Sequence, residues 1–547
     1  MTSDLPLTIT DASQALRSGR ISAVELTTAL LERADRHDGA VGSFITRFDE
    51  QALVAAADAD RERASGLDRG PLHGIPVGIK DIIATRDGVT TAQSEVHDRS
   101  VLAGEDAAAV ARLRAAGAII AGKLTTMEYA CGFPDPDKPF PTPRNPWDLS
   151  RWAGGSSSGT GNGVAAGFLL GGLGTDTGGS IRNPSAFCGI TGHRPTFGLV
   201  PKSGCIPLGY TSDAIGPMAR SARDCALMLD AIAGFDPSDP YCADVPTPSA
   251  AAALDGHADG IRVGVFRYFD AAGQRIDPDV AAAFDDAVDV LCDAGATRRD
   301  VVVPLFAELT DAGYITLLAE SFAYHRPNLR RRWTAFGRDT RRTLAMGALY
   351  GAADYAQAQR VRRAGLAHLA DVFRDVDVVV TPSALGPAPR LDQRVFVPAP
   401  STSRPSIRPT AAFAALGVPA LSAPMGFTRD GLPLGLQIVG RPFDDATVLR
   451  VADAFQQRTD WHRRVAPLGG TPASIDPRPI GPEGVDGTAV SMVTALLDAA
   501  GIRPSEQEIA VLAAGYPIMR ETADALHAVT DDRDVAPILA FRPRVGP

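Results

Sequence analysis

Three things are scarce in this 547-residue chain, and each shortage removes a class of function. Its six cysteines, Cys131, Cys188, Cys205, Cys225, Cys242 and Cys292, form no Cys-x-x-Cys pair, which argues against a zinc site or a redox motif. No metal and no cofactor is expected. Long hydrophobic runs are missing too: the longest, near Val164 to Leu173, is broken by glycines and too short to span a bilayer. There is no extended Lys/Arg stripe, and Arg330-Arg331-Arg332 reads as a solvated helix face. With 54 basic against 64 acidic residues the net charge is −10, which argues against a nucleic-acid footprint. Met1 to Pro6 lacks the basic and apolar regions of a signal peptide, so the expectation is a cytoplasmic protein with reduced thiols.

What is present is the composition of a globular protein, 45% hydrophobic and 22% charged. The length exceeds one ordinary core and suggests a large domain with an appendage. Ser22 to Arg36 reads as an amphipathic helix opened by a capping box, Ser22-Ala23-Val24-Glu25. Ile75 to Ile79 reads as a strand ending at Lys80, Ala107 to Ala116 as a helix, and Ala118 to Ala121 as a strand. Val164 to Leu170 is expected to be helical, and 305–371 is a helix-rich stretch. Val376 to Pro382, Ala420 to Ala423 and Leu434 to Val439 follow as core strands. This alternation predicts an α/β fold with a central mixed, twisted sheet covered by helices. Residues 464–487 are crowded with Pro and Gly, as in a linker. The predicted organisation is therefore a catalytic body at 1–463, a linker at 464–487 and a small helical region at 488–547. Within the last, Val490 to Ala500 and Ser505 to Val529 have helical spacing, Ser505-Glu506-Gln507-Glu508 is a second capping-box candidate, and Val535 to Pro543 looks extended.

Two Gly/Ser runs carry the chemistry: Gly154-Gly155-Ser156-Ser157-Ser158-Gly159 and Gly174-Thr175-Asp176-Thr177-Gly178-Gly179-Ser180. A serine hydroxyl is a weak nucleophile until a base lies within hydrogen-bond reach. Neither run contains a histidine, but Lys80 lies upstream in an apolar strand. An ordinary lysine pKa of about 10.4 leaves the neutral form roughly 4.6 kcal/mol uphill at pH 7, and burial can remove about 3–5 units. Lys80 among Ile75, Val77, Ile79, Ile82 and Ile83 suits such a base; the plainer alternative is a surface lysine paired with Asp81.

These segments resemble the amidase signature family. The resemblance rests on Gly74 to Asp81 (GIPVGIKD), the GGSSSG run, Gly174 to Gly189 (GTDTGGSIRNPSAFCG), and Asp213 to Arg220 (DAIGPMAR). It spans residues 8–462, and the interval of 24 residues from Ser156 to Ser180 matches that of the family's two active serines. It implies hydrolysis of an amide-type C–N bond with Ser180 as nucleophile, Ser156 as a bridging serine after a cis peptide, and Lys80 as base. The backbone N–H groups of Thr177, Gly178, Gly179 and Ser180 would form the oxyanion hole. Ser157, Asp176 and Arg182 would support the loop, while Met127, Cys131 and Gly132 would line the substrate pocket.

On this reading the substrate is a small-molecule carboxamide, urea, carbamate or hydrazide, with no nucleic acid and no membrane, and a homodimer is possible. The tail after residue 488 resembles the small GatC-like or AtzG-like partner subunits, here fused. An alternative is the glutaminase (A-type) subunit of an aminoacyl-tRNA amidotransferase, and a second is a non-catalytic scaffold of the same fold. Other motifs compete locally. Gly155 to Gly159 also fits the G-x-S-x-G elbow with Ser157 as nucleophile and His462 as base. Gly117 to Leu124 approaches a P-loop but lacks the hydroxyl residue after Lys123. His73 reads as a structural histidine, and Arg360, Arg362 and Arg363 as helix-face arginines that could otherwise bind a carboxylate.

Overall fold

The computed structural model describes residues 5–247, 249–268, 276–392, 408–473, 475 and 484–529. Among them, eleven strands form one mixed sheet in the order β1-β3-β2-β6-β8-β7-β12-β13-β11-β9-β10. These are β1 (Phe44–Arg47), β2 (Pro76–Lys80), β3 (Ile119–Leu124), β6 (Gly171–Asp176), β7 (Thr191–Arg194), β8 (Ala214–Ala219), β9 (Arg262–Val265), β10 (Thr297–Asp300), β11 (Val378–Pro382), β12 (Ala420–Phe427) and β13 (Pro433–Gly440). A separate hairpin pairs β4 (Arg144–Asn145) with β5 (Asp148–Trp152).

β2 runs parallel to both β3 and β6. All five of its residues are buried, which suits the continuously apolar sequence around it. Gly78 is required there, because a Cβ would lie 2.5 Å from Leu124 Cδ1 and 2.6 Å from Leu169 Cδ1. Lys80 ends β2 and Asp176 ends β6, so both project from the carboxyl ends of parallel neighbours, where open α/β sheets build their sites.

The capping boxes expected at Ser22–Glu25 and Ser505–Glu508 are both formed, opening helices Ala23–Val41 and Glu506–Ala528. One expected helix is displaced. The segment between the serine runs is helical over Ser158–Ala165, not Val164 to Leu170. Its glycines lower helix propensity, but close packing overrides that: a Cβ on Gly159 would lie 2.3 Å from Ser43 O. The apolar stretch Phe168 to Leu170 instead turns into the core ahead of β6.

The helix-rich stretch consists of Phe306–Arg332, Arg338–Ala345 and Ala352–Asp375. Against it lie the C-terminal helices Gly487–Ala500 and Glu506–Ala528. In the Pro/Gly-rich segment, Leu468 donates its N–H to Pro146 O, and Ile475 is buried beside Trp152 and Phe187. The expected extended segment Val535 to Pro543 lies outside the described residues. All six cysteines are free thiols. No helix among the described residues is long and apolar enough to cross a membrane.

Candidate active site

Lys80 is fully buried, and its ammonium faces three hydroxyls. Nζ lies 2.7 Å from Ser156 Oγ, 2.7 Å from Thr175 Oγ1 and 3.1 Å from Ser157 Oγ. Burial lowers its pKa to about 7, against the opposing pull of Cys205, Asp213 and Asp176. Asp81 does not pair with it; that carboxylate sits 3.5 Å from Lys123 Nζ, which removes the surface-lysine alternative. The same contact makes the P-loop-like segment a buried strand, β3.

The peptide before Ser156 is cis, as the resemblance implies. Ser157 links the two serine runs: its N–H donates to Ser180 O, its hydroxyl donates to Thr175 O, and it accepts from Thr175 N–H. With Lys80 as its further partner, Ser157 is structurally committed and does not line the cavity, so the elbow reading has no reactive hydroxyl.

Ser156 and Ser180 both line a cavity of about 110 Å³ together with Thr177 and Gly178. Gly179 is turned differently, donating its N–H to Asp176 Oδ1 at 2.7 Å. Asp176 also accepts from Arg182 Nη2 and Nε, each at 2.9 Å, and from the N–H of Ile181. Burial alone would raise its pKa; Arg182, then Arg194, hold it down to about 2. Arg182 reaches onward to Gln437 Oε1 at 2.6 Å, tying the loop to β13. Asp176 and Arg182 thus brace the loop from within.

Met127, Cys131 and Gly132 also line the cavity, with Met127 N–H donating to Ser156 O. They belong to a sharply turned loop with positive φ at Tyr129, Ala130 and Gly132. Glu128 anchors it, accepting from Ser94 Oγ and from Gly337 N–H, the latter at 2.7 Å. Its burial pushes the carboxyl up to about 7. The remaining wall comes from Phe133, Trp152, Asn183, Tyr314, Leu317 and Thr343, which the sequence did not disclose. His73 lies elsewhere, beside Glu62, and Arg362 is buried against Thr211 and Ala415 O; neither lines the cavity. Among the described residues no cluster suited to a metal ion occurs.

The sequence matches the family model described as Amidase over residues 25–449. The chain belongs to the amidase family. The A-type subunit of glutamyl-tRNA(Gln) amidotransferase from Roseiflexus sp. (strain RS-1) is 41% identical over 485 residues, taking in 84% of this chain and 98% of that protein. Its counterpart from Geobacter metallireducens is 38% identical over 484 residues, 84% of this chain and 99% of that protein. Among solved structures, one described as "An unexpected vestigial protein complex reveals the evolutionary origins of an s-triazine catabolic enzyme" has a TM-score of 0.77 at 31% identity, covering 84% of this chain and all of that one. The native peptide amidase from Stenotrophomonas maltophilia has a TM-score of 0.71 at 30% identity, covering 83% and 98%. This amidase is accordingly an enzyme of C–N bond hydrolysis or transfer with the expected α/β architecture.

These relatives correct the expected partners. A small-molecule substrate with no nucleic acid does not fit relatives that are, by name, subunits of a glutamyl-tRNA(Gln) amidotransferase. The charge argument failed for a physical reason. A net charge of −10 describes this chain alone and says nothing of a basic surface carried by a companion subunit.

Proposed function

We propose that this amidase is the amide-cleaving, A-type subunit of an aminoacyl-tRNA amidotransferase. In this role Ser180 attacks a carboxamide carbonyl, as in glutamine, and releases ammonia. The hydrogen bond from buried Lys80 to Ser156, in a cavity shared with Ser180, supports the chemistry; the relatives support the role. Neutral Lys80 takes the proton of Ser156 as Ser156 takes that of Ser180, and the new C–O bond forms as the carbonyl π pair moves onto oxygen, giving a tetrahedral oxyanion. N–H groups of Thr177, Gly178 and Ser180 receive the oxyanion, with Gly179 kept by Asp176 to shape the turn. The C–N bond breaks as the proton returns through Ser156 to the leaving nitrogen. Water then cleaves the acyl-enzyme along the same relay. The division into a body at 1–463 and a C-terminal region from 488 belongs to this reading, and the six free thiols suit a cytoplasmic setting.

One observation favours a second reading. No described residue lining the cavity is charged, whereas Met127, Phe133, Trp152, Leu208 and Leu317 are apolar. Such walls suit a neutral, apolar acyl group, and hence a carboxamide hydrolase that works without companion subunits. Carbamates and ureas present a similar carbonyl and belong in the same assay. The deciding experiment measures ammonia release from glutamine and from an apolar carboxamide such as phenylacetamide, with and without a B-type amidotransferase subunit charged with Glu-tRNA(Gln). Glutamine hydrolysis that rises with the added subunit supports the A-type role. Full carboxamide turnover by the chain alone, with no glutamine hydrolysis in either condition, overturns it in favour of the second reading.

A further inference from the structure

The cavity wall formed by Tyr314, Leu317 and Thr343 has a second side. Tyr314 and Leu317 also pack against a buried cluster in which Leu318, Ala345, Met346 and Leu349 meet Val493, Leu497, Leu512 and Met519 of the C-terminal helices. Two helices of the cavity wall therefore rest directly on the appendage.

One carboxylate joins the two units. Glu508 Oε1 accepts from Arg341 Nε at 2.7 Å, while Oε2 accepts from Trp333 Nε1 at 3.1 Å. The same Oε2 accepts from Ser505 N–H at 2.9 Å and Ser505 Oγ at 3.0 Å, completing the helix cap. The pair is well shielded, with Arg341 13% and Glu508 12% exposed, so solvent screens it little. Arg341 also stacks over Trp333 and donates to Phe336 O. On its cavity side the same segment is fixed by Glu128, which accepts from Gly337 N–H, and by Thr340 Oγ1, which donates to Cys131 O. Residues 333–345 are thus held between two carboxylates, buried Glu128 of the substrate loop and half-buried Glu508 of the appended helix.

We propose that Glu508 is a positioning residue for the substrate pocket: by clamping Arg341 and Trp333 it fixes the wall carrying Thr343, so the C-terminal helix pair sets which acyl groups the cavity accepts. This rests on the reading of Ser180 as nucleophile and of the cavity as the acyl site. Glu508 touches no reacting atom. Its effect is on binding and not on the chemical step. The helix keeps independent anchors, Arg520 to Asp354 at 2.6 Å and Gln357 to Leu526 O at 2.9 Å, so replacing Glu508 leaves the appendage docked.

The test uses the full chain and two probes, a dodecyl fluorophosphonate whose chain meets the apolar wall and a methyl fluorophosphonate whose group does not. Saturation kinetics of Ser180 labelling separate the binding constant KI from the inactivation rate kinact. For the dodecyl probe, Glu508→Ala and Arg341→Ala each raise KI about 10-fold, and the double variant raises it no further, as for one shared contact. In both variants kinact stays within about twofold, and the methyl probe is unaffected. Glu508→Gln restores much of the affinity. Hydrogen exchange read on the peptides spanning 333–345 is at least about 10-fold faster in Glu508→Ala. Unchanged KI with unchanged exchange overturns the proposal, as does a fall in kinact at constant KI. If the wild type is not labelled at Ser180, the nucleophile assignment fails, while exchange over 333–345 still decides whether the clamp exists.

Discussion

Thr175 Oγ1 stands 2.7 Å from Lys80 Nζ, as close as Ser156 Oγ does. A neutral amine has two N–H donors and one lone pair, whereas an ammonium has three donors. Ser157 spends its own proton on Thr175 O and therefore accepts from Lys80. If Thr175 accepts the second donor, the lone pair of neutral Lys80 is left facing Ser156, the direction from which the proton must come.

Thr175→Val keeps the shape and deletes the hydroxyl. Hydrogen bonds to charged groups are worth about 1.5–3 kcal/mol, so kcat/KM is expected to fall about 10–100-fold. The charged lysine loses an acceptor, which lowers its pKa further. The pH–rate curve of the variant shifts toward lower pH, as stopped-time ammonia assays across pH 5–9 would reveal.

The wild type itself should show kcat/KM rising with pH through about 7 and then levelling, because only neutral Lys80 accepts a proton. Lys80→Met removes that limb and lowers the rate by about 10²–10⁴.

The same lysine opposes folding. Its folded pKa of about 7 lies below the ordinary 10.5, so between these values the unfolded chain binds more protons and stability rises with pH. The full cost is roughly 5 kcal/mol at pH 7 and below, before its hydrogen bonds are counted. Lys80→Met should gain in relative stability at low pH, and its advantage should shrink from pH 7 to 10.5 in urea titrations. A gap independent of pH would contradict the burial argument.

Asp176 acts with the opposite sign. Its carboxyl is held down to about 2, so it contributes stability above the ordinary value of 3.8 that is lost as pH falls toward 2. Asp176→Asn leaves Arg182 and Arg194 buried without their anion, and breaking such an arrangement costs about 3–5 kcal/mol. Thermal unfolding at pH 7 measures the loss, and the deficit should narrow in acid.

Gly179 has φ +130°, and a Cβ there would lie 2.2 Å from Thr410 Oγ1. Gly179→Ala is expected to lose Ser180 labelling and about 1–3 kcal/mol of stability. Gly178→Ala, whose Cβ would meet nothing within 4 Å, should keep the stability.

Much of this site was written locally. Lys80, the two serine runs and both capping boxes lie within short motifs whose chemistry depends on immediate neighbours. Thr175 stood in plain view inside one motif but had no visible partner, because its contact with Lys80 spans 95 positions. Trp152, the pair Tyr314 and Leu317 on one helix, and Thr343 reach the cavity from three separate elements, and nothing in their flanking sequence marks a wall. The helix Ser158–Ala165 was misplaced because its glycines answer to close packing against Ser43 and Thr125, which local propensity does not register. The partners were misjudged because charge was read on one chain alone.

β2 lies between two parallel neighbours, with Val77 and Ile79 in register with Gly171 and Leu173 on one side and Lys80 opposite Leu124 on the other. Lys80, the base of the proposed relay, is thus mounted at the end of a strand that is not at the sheet's margin. Two ladders hold this strand as far as Ile79 and one continues to Lys80, so loosening the lysine means opening the sheet itself. Inactivation and melting become one event, and an enzyme warmed to just below its transition should still turn over at full strength.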